Sequence, residues 1–75
     1  MSEDMVTTEL KQDVGKIVLV KLTGAKMLRG KLWEFDPHMN LSLQDAVEIS
    51  EDDTTNPLGA ILVRGDNIIM ISPPA

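Results

Sequence analysis

Cysteine is absent from the 75-residue chain. Disulfides, thiolate zinc sites and thiol nucleophiles are therefore excluded together, and a reducing compartment suits such a composition. A single histidine rules out any site that needs two imidazoles from one chain. Long apolar runs are missing as well. Stretches such as Ile17-Val18-Leu19-Val20 and Ala60-Ile61-Leu62-Val63 fall far short of the roughly 20 residues a membrane span needs. The opening Met1-Ser2-Glu3-Asp4 is acidic and lacks the basic-then-apolar order of a signal peptide, so a cytoplasmic chain with no membrane association is expected. Basic residues are in deficit: seven Lys and Arg against twelve Asp and Glu give a net charge of −5. A basic protein wrapped around a polyanion is thus excluded.

What is present fits one small globular domain spanning residues 1–75, with 43% apolar and 25% charged residues. A domain of this size buries only about 60% of the surface its unfolded chain exposes, so its core is marginal without a staple. Oligomerisation is the device left once disulfides and metals are set aside. The charge is unevenly placed: residues 1–13 carry a net −3, residues 14–47 a net +2, and residues 48–53 a net −4.

The spacing predicts a short helix over residues 4–13, with Asp4 as cap, Val6 and Leu10 on one face and Gly15 just past the end. From Lys16 onward the pattern is strand: Lys16–Leu22, Lys26–Phe35 with Gly30 marking a bulge or close approach, Met39–Ile49, Leu58–Val63 and Ile68–Ser72. The barrel is expected over about 16–72, with an acidic loop at about 50–57. One helix followed by five short strands describes a mainly β, strongly bent, SH3-like barrel. The first and last strands are apolar on both faces, at Ile17–Val20 and Ile68–Ile71. A lone small barrel should show one wet face. Either a second copy of the chain or the N-terminal helix covers the other.

Two polar segments interrupt the apolar strands. In Phe35-Asp36-Pro37-His38-Met39-Asn40-Leu41 the polar residues Asp36, His38 and Asn40 alternate, so an extended segment would project them to one side. In Leu62-Val63-Arg64-Gly65-Asp66-Asn67-Ile68, Gly65 frees the backbone for positive φ between Arg64 and Asp66, and the run reads locally as a hairpin turn. As metal ligands the first set is too few for a closed zinc site. As a catalytic set it lacks a placed nucleophile. Base recognition suits it better, because an amide can both donate and accept at a base edge while imidazole and guanidinium offer flat surfaces for stacking. A plain turn cap, with His38 exposed and idle, suits Asp36 and Asn40 equally.

The two segments, in this order and separated by a variable loop, resemble the two motifs of the Sm and Sm-like (LSm) family, in particular its archaeal members. The first motif is matched by Gly24, Gly30, Leu32, the run from Phe35 to Leu41, Leu43 and Asp45; the second is matched by Ile61 to Ile68. Arg64-Gly65-Asp66-Asn67 sets the chain apart from the bacterial Hfq branch. The resemblance covers about residues 8–73, although the Pro-Leu opening common in archaeal relatives is missing.

The resemblance implies an N-terminal helix on a bent five-stranded barrel, with the fourth strand of one subunit pairing with the fifth strand of the next in a homo-oligomeric ring, usually of seven. It implies that the strands beside Arg64-Gly65-Asp66-Asn67 diverge, and that uridine-rich single-stranded RNA binds at the pore. In that site His38 stacks on uracil and Arg64 stacks opposite or reaches phosphate. Asn40 reads the base edge, Asp36 orients Asn40, and Gly65 and Asp66 contact base and ribose. Met39 packs beneath the loop or between subunits. Read from the residues themselves, Trp33 is a packing residue, an outer-surface residue or a stacking surface for nucleic acid, and Lys26, Arg29 and Lys31 form a solvated strand face or a guide for RNA across the outside. No cofactor and no catalysis are implied, only a scaffold or chaperone in RNA processing or turnover. The competing reading is a protein-interaction hub with little RNA binding of its own.

Overall fold

The computed structural model describes residues 5–72, with side chains from residue 8 onward. Helix α1 (Met5–Asp13) is followed by strands β1 (Ile17–Leu22), β2 (Lys26–Phe35), β3 (Leu41–Ile49) and β4 (Thr55–Val63), a single 3-10 turn at Gly65–Asn67, and β5 (Ile68–Ser72). Leu10 of α1 is buried and joins the core, so this residue anchors the helix to the barrel. The expected cap Asp4 and the Val6 side chain lie outside the described part.

All five strands form one antiparallel sheet in the order β4-β3-β2-β1-β5. Alternation along β1 and β2 sends Val18, Val20, Leu28 and Leu32 inward, where they meet Leu41, Leu43, Ala46 and Val63. A sheet this short can wrap around such a core only by bending, and the bend lies at Gly30. The β2–β3 register slips between Arg29 and Lys31, and a Cβ at Gly30 would stand 3.2 Å from both Cα and Cβ of Ala46. Glycine is needed there for close backbone approach, as its isolated place in the strand suggests. Asp45 sits opposite this bend with φ of 51°, a left-handed conformation that aspartate tolerates better than most residues.

Three local expectations are corrected. The acidic loop is shorter than 50–57, because β4 begins at Thr55 and Pro57 pairs with Val47 inside it. Proline is admitted because β4 is a sheet edge, where a missing N–H breaks no inner ladder. The third strand begins at Leu41, since Met39 and Asn40 belong to the preceding turn. The local hairpin reading of residues 64–67 fails too, and the divergence implied by the family resemblance is what the structure shows. β4 and β5 lie at opposite edges of the sheet, with the 3-10 turn between them.

Both edges are apolar and open. Leu62 on β4 is 76% exposed, and Ile69 and Met70 on β5 are 60% and 52% exposed. Ile17 on β1 is exposed as well. The N-terminal helix therefore leaves these side chains uncovered, and the second apolar face needs another partner.

Candidate nucleic-acid interface

β2 and β3 are joined by a tight turn over residues 36–40. The Asp36 N–H donates to the Asn40 carbonyl at 3.1 Å, and the Met39 N–H donates to the Asp36 carbonyl at 3.0 Å. Three-residue hairpins of this kind place their last residue in the left-handed region, usually as glycine. Met39 occupies that position with φ of 66°. Its half-buried side chain packs against the core, which favours a large apolar residue at a backbone position that would otherwise suit glycine.

The segment is folded rather than extended, so Asp36, His38 and Asn40 do not point to one side as simple alternation suggests. Asp36 and Asn40 face each other across the turn, and His38 stands exposed at its tip. One oxygen of the Asp36 carboxylate accepts the His38 N–H at 2.9 Å and the Asn40 N–H at 3.0 Å; the other accepts the Asn40 side-chain Nδ2 at 2.9 Å. The Asn40 side-chain amide, then the Asn40 and His38 backbone N–H groups, hold the Asp36 carboxyl below its ordinary value of 3.8.

The second motif meets the first through one hydrogen bond: the Gly65 N–H donates to Asn40 Oδ1 at 2.8 Å. Gly65 is required for proximity and not for positive φ, which corrects the expectation from sequence. A Cβ at this position would collide with the His38 carbonyl oxygen and approach Met39 C to 2.8 Å. Arg64 follows β4 in an extended conformation, and its Nη2 lies 3.0 Å from Asp66 Oδ2 with both side chains largely exposed. Such an exposed pair contributes little to stability, and its effect is to restrict where the guanidinium points. The Thr23 N–H donates to the Asn67 carbonyl at 2.9 Å and ties the 3-10 turn to the β1–β2 connection. Sequence reasoning left Asn67 without a role, because its partner is forty-four residues away.

All six residues singled out from the sequence therefore gather at one junction. Open grooves flank it. One of about 200 Å³ is lined by Glu34, Phe35, Asp36, Asn40, Ser42 and Leu62. Another of about 320 Å³ runs from Met39 and Gly65 along Ile68–Ile71 of β5.

Asn40 is the most constrained polar group at this junction. A carboxylate only accepts and a backbone N–H only donates, so Asp36 and Gly65 fix which end of the amide is oxygen and which is nitrogen. One lone pair on Oδ1 and one hydrogen on Nδ2 are left to offer, in a fixed order. The sign of the pH dependence follows from Asp36. A depressed carboxyl pKa means that the ionised form favours the folded turn, and this contribution is lost only as pH falls through the folded-state value. The Asn40 side-chain amide resonances are expected to hold their positions from neutral pH down to the ordinary carboxyl value of 3.8, and to move toward those of a free amide only below it. A pH titration by NMR checks this. Movement already near pH 5 would contradict the hydrogen-bonded carboxylate.

A bent five-stranded sheet with two open apolar edges, whose β2–β3 turn and β4–β5 connection, bearing an exposed His and an exposed Arg respectively, hold an oriented amide, is the architecture of a small, self-associating binding module. The LSM domain family model matches residues 8–73, and the chain belongs to the LSM, or Sm-like, family. It is 43% identical over 56 residues to an snRNP Sm-like protein of Methanosarcina barkeri, an alignment covering 75% of this chain and 78% of that one. Its fold superposes on the SmAP1 heptamer of P. aerophilum with a TM-score of 0.91 at 39% identity, covering 99% of each chain. It also superposes on the Sm protein of Pyrococcus abyssii in complex with a uridine heptamer, with a TM-score of 0.84 at 35% identity over 95% of this chain and 99% of that one. No helix among the described residues is long and apolar enough to cross a membrane.

Proposed function

We propose that this protein forms a homo-oligomeric ring, most simply a heptamer, that binds uridine-rich single-stranded RNA at its pore and acts as a scaffold or chaperone in RNA processing or turnover in the cytoplasm. The oriented Asn40 amide carries the reading. Uracil presents an N–H donor beside a carbonyl acceptor, the complement of the lone pair and hydrogen that Asn40 has free. Cytosine presents the reverse order, and with the amide held against flipping it leaves groups unpaired. His38 and Arg64 supply the stacking surfaces, worth about 1–3 kcal/mol per base. Asp36 and Gly65 act through Asn40, and Asp66 acts through Arg64. The heptamer seen for the P. aerophilum relative and the uridine heptamer bound by the Pyrococcus abyssii relative support both halves of the proposal. The protein binds RNA and leaves it unchanged.

Fluorescence anisotropy with short oligo-U, oligo-C and oligo-A tests the pocket. Uridine preference is expected, and Asn40→Ala and Arg64→Ala should each weaken oligo-U binding at least several-fold, about 1 kcal/mol or more, while the ring stays intact by native mass spectrometry. Asn40→Ala should also lose discrimination against cytosine. If both variants bind like the parent, the pocket is misassigned and the protein-hub reading is favoured. The exposed Ile17 and Trp33, which flank the backbone hydrogen bond between Leu32 and Lys16, are the specific observation on its side.

A further inference from the structure

Between Asp13 and Glu34 the chain carries Lys16, Lys21, Lys26, Arg29 and Lys31 and no acidic residue, although acids outnumber bases overall. The β1–β2 register sets Ile17 against Lys31, Leu19 against Arg29 and Lys21 against Met27. Alternation then puts Lys21, Arg29 and Lys31 on the sheet face opposite the buried Val18, Val20 and Leu28. Arg29 and Lys31 are two residues apart along one strand, about 7 Å. Lys21 lies diagonally across the ladder from Arg29, about 7–8 Å away.

The surroundings of this row are uncharged on both sides. On β5, Met70 faces Lys21 and Ser72 faces Leu19. On β3, Val47 faces Arg29 and Gln44 faces Lys31. The nearest acids by register are Asp45, next to Gln44, and Glu48, next to Val47 and opposite the inward-facing Leu28. Neither is in salt-bridge contact with the row among the described residues. The row also leads to the pocket, because Lys31 lies five residues before Asp36, about 16 Å of strand.

We propose that this face of β1 and β2 is a second, sequence-neutral track for RNA, holding the phosphodiester backbone of the strand as it leaves the base pockets. The inference rests on the pocket reading for the source of the strand. RNA is favoured as occupant because the pocket delivers phosphates to the end of β2. The acidic segment 48–53 repels a polyanion, whereas the acid-free face draws it.

The test compares heptauridine with the same heptamer carrying twelve-nucleotide cytosine-adenine extensions at either end. The proteins are the parent and a Lys21→Gln/Arg29→Gln/Lys31→Gln variant. At low salt the parent should bind an extended RNA about tenfold more tightly than heptauridine, and three lost phosphate contacts should lower the salt slope by about 2 in the variant. The variant should bind heptauridine as the parent does, melt at the same temperature, and gain nothing from extension. An extension benefit that survives in the variant, or is absent from the parent, overturns the proposal. If heptauridine fails to bind the parent while the isolated extension binds the parent and not the variant, the pocket reading falls and the track stands. If the variant loses only low-salt association between rings, the face receives the acidic segment of a second ring and the RNA track is wrong.

Discussion

Gly65→Ala is expected to weaken oligo-U binding about 100-fold and to abolish the preference for uracil over cytosine, while the barrel still folds. The added Cβ would overlap the His38 carbonyl oxygen and crowd Met39 C at 2.8 Å. Both are backbone atoms, so no side-chain rotation relieves the clash. The 36–40 turn must move away, and the Gly65–Asn40 hydrogen bond of 2.8 Å is broken. Overpacking of this kind costs about 1–3 kcal/mol, which in a domain of this size lowers the melting temperature by about 4–24 °C and leaves the fold in place at room temperature. The loss in binding is larger because three contributions fail together: the amide is no longer oriented, and the turn carrying His38 is displaced from the segment carrying Arg64. About 2.7 kcal/mol corresponds to the 100-fold loss. Gly24→Ala is the control, because a Cβ there meets nothing within 4 Å while its φ of 81° carries comparable backbone strain. It should lower the melting temperature and leave oligo-U affinity unchanged. If Gly65→Ala binds oligo-U like the parent, the two motifs do not form one pocket.

The strands were legible in the sequence because each is a short apolar or alternating run bounded by turn residues. Lys26–Phe35 appears in the structure with those bounds, and Gly30 marks the bend because a packed strand interior has little other use for glycine. What depends on partners distant in sequence was not legible. Pro57 lies inside β4 because that strand is an edge, a fact of sheet order that local sequence does not carry. Met39 adopts a left-handed conformation without being glycine, because packing of its side chain against the core offsets the backbone strain. Alternation misplaced Asp36, His38 and Asn40 because a five-residue turn has no strand period. The contact of Asn40 with Gly65 spans twenty-five residues, so the residue types at the pocket could be named from the motifs while the reason for Gly65 could not. Proximity and positive φ demand the same amino acid, and only coordinates tell them apart.

A Leu62→Asp/Ile69→Asp chain is expected to remain folded and to run as a monomer where the parent forms a closed ring at micromolar concentration. The sheet order leaves β4 and β5 as unpaired edges of one molecule, each carrying exposed apolar side chains. Long apolar edges of this kind aggregate unless they are paired or blunted. Head-to-tail pairing of β4 with β5 satisfies both edges of every subunit at once, and a rotation that closes limits growth to a ring. Both substituted side chains are largely exposed in one subunit, so the core of Val18, Val20, Leu32, Leu41 and Leu43 is untouched and the monomer keeps its fold. Removing two buried apolar side chains forfeits about 1.5–3 kcal/mol for each at every junction, before any repulsion between the new carboxylates. That weakens each junction by about two orders of magnitude or more. Oligo-U affinity then falls further than any single pocket substitution would produce. Linked pockets hold later nucleotides at high effective concentration, a gain of about 100- to 10,000-fold that a monomer lacks. Native mass spectrometry and anisotropy on the same samples decide the point. A parent that is monomeric at micromolar concentration removes the ring. A monomeric variant that still binds oligo-U like the parent removes the link between ring closure and RNA binding.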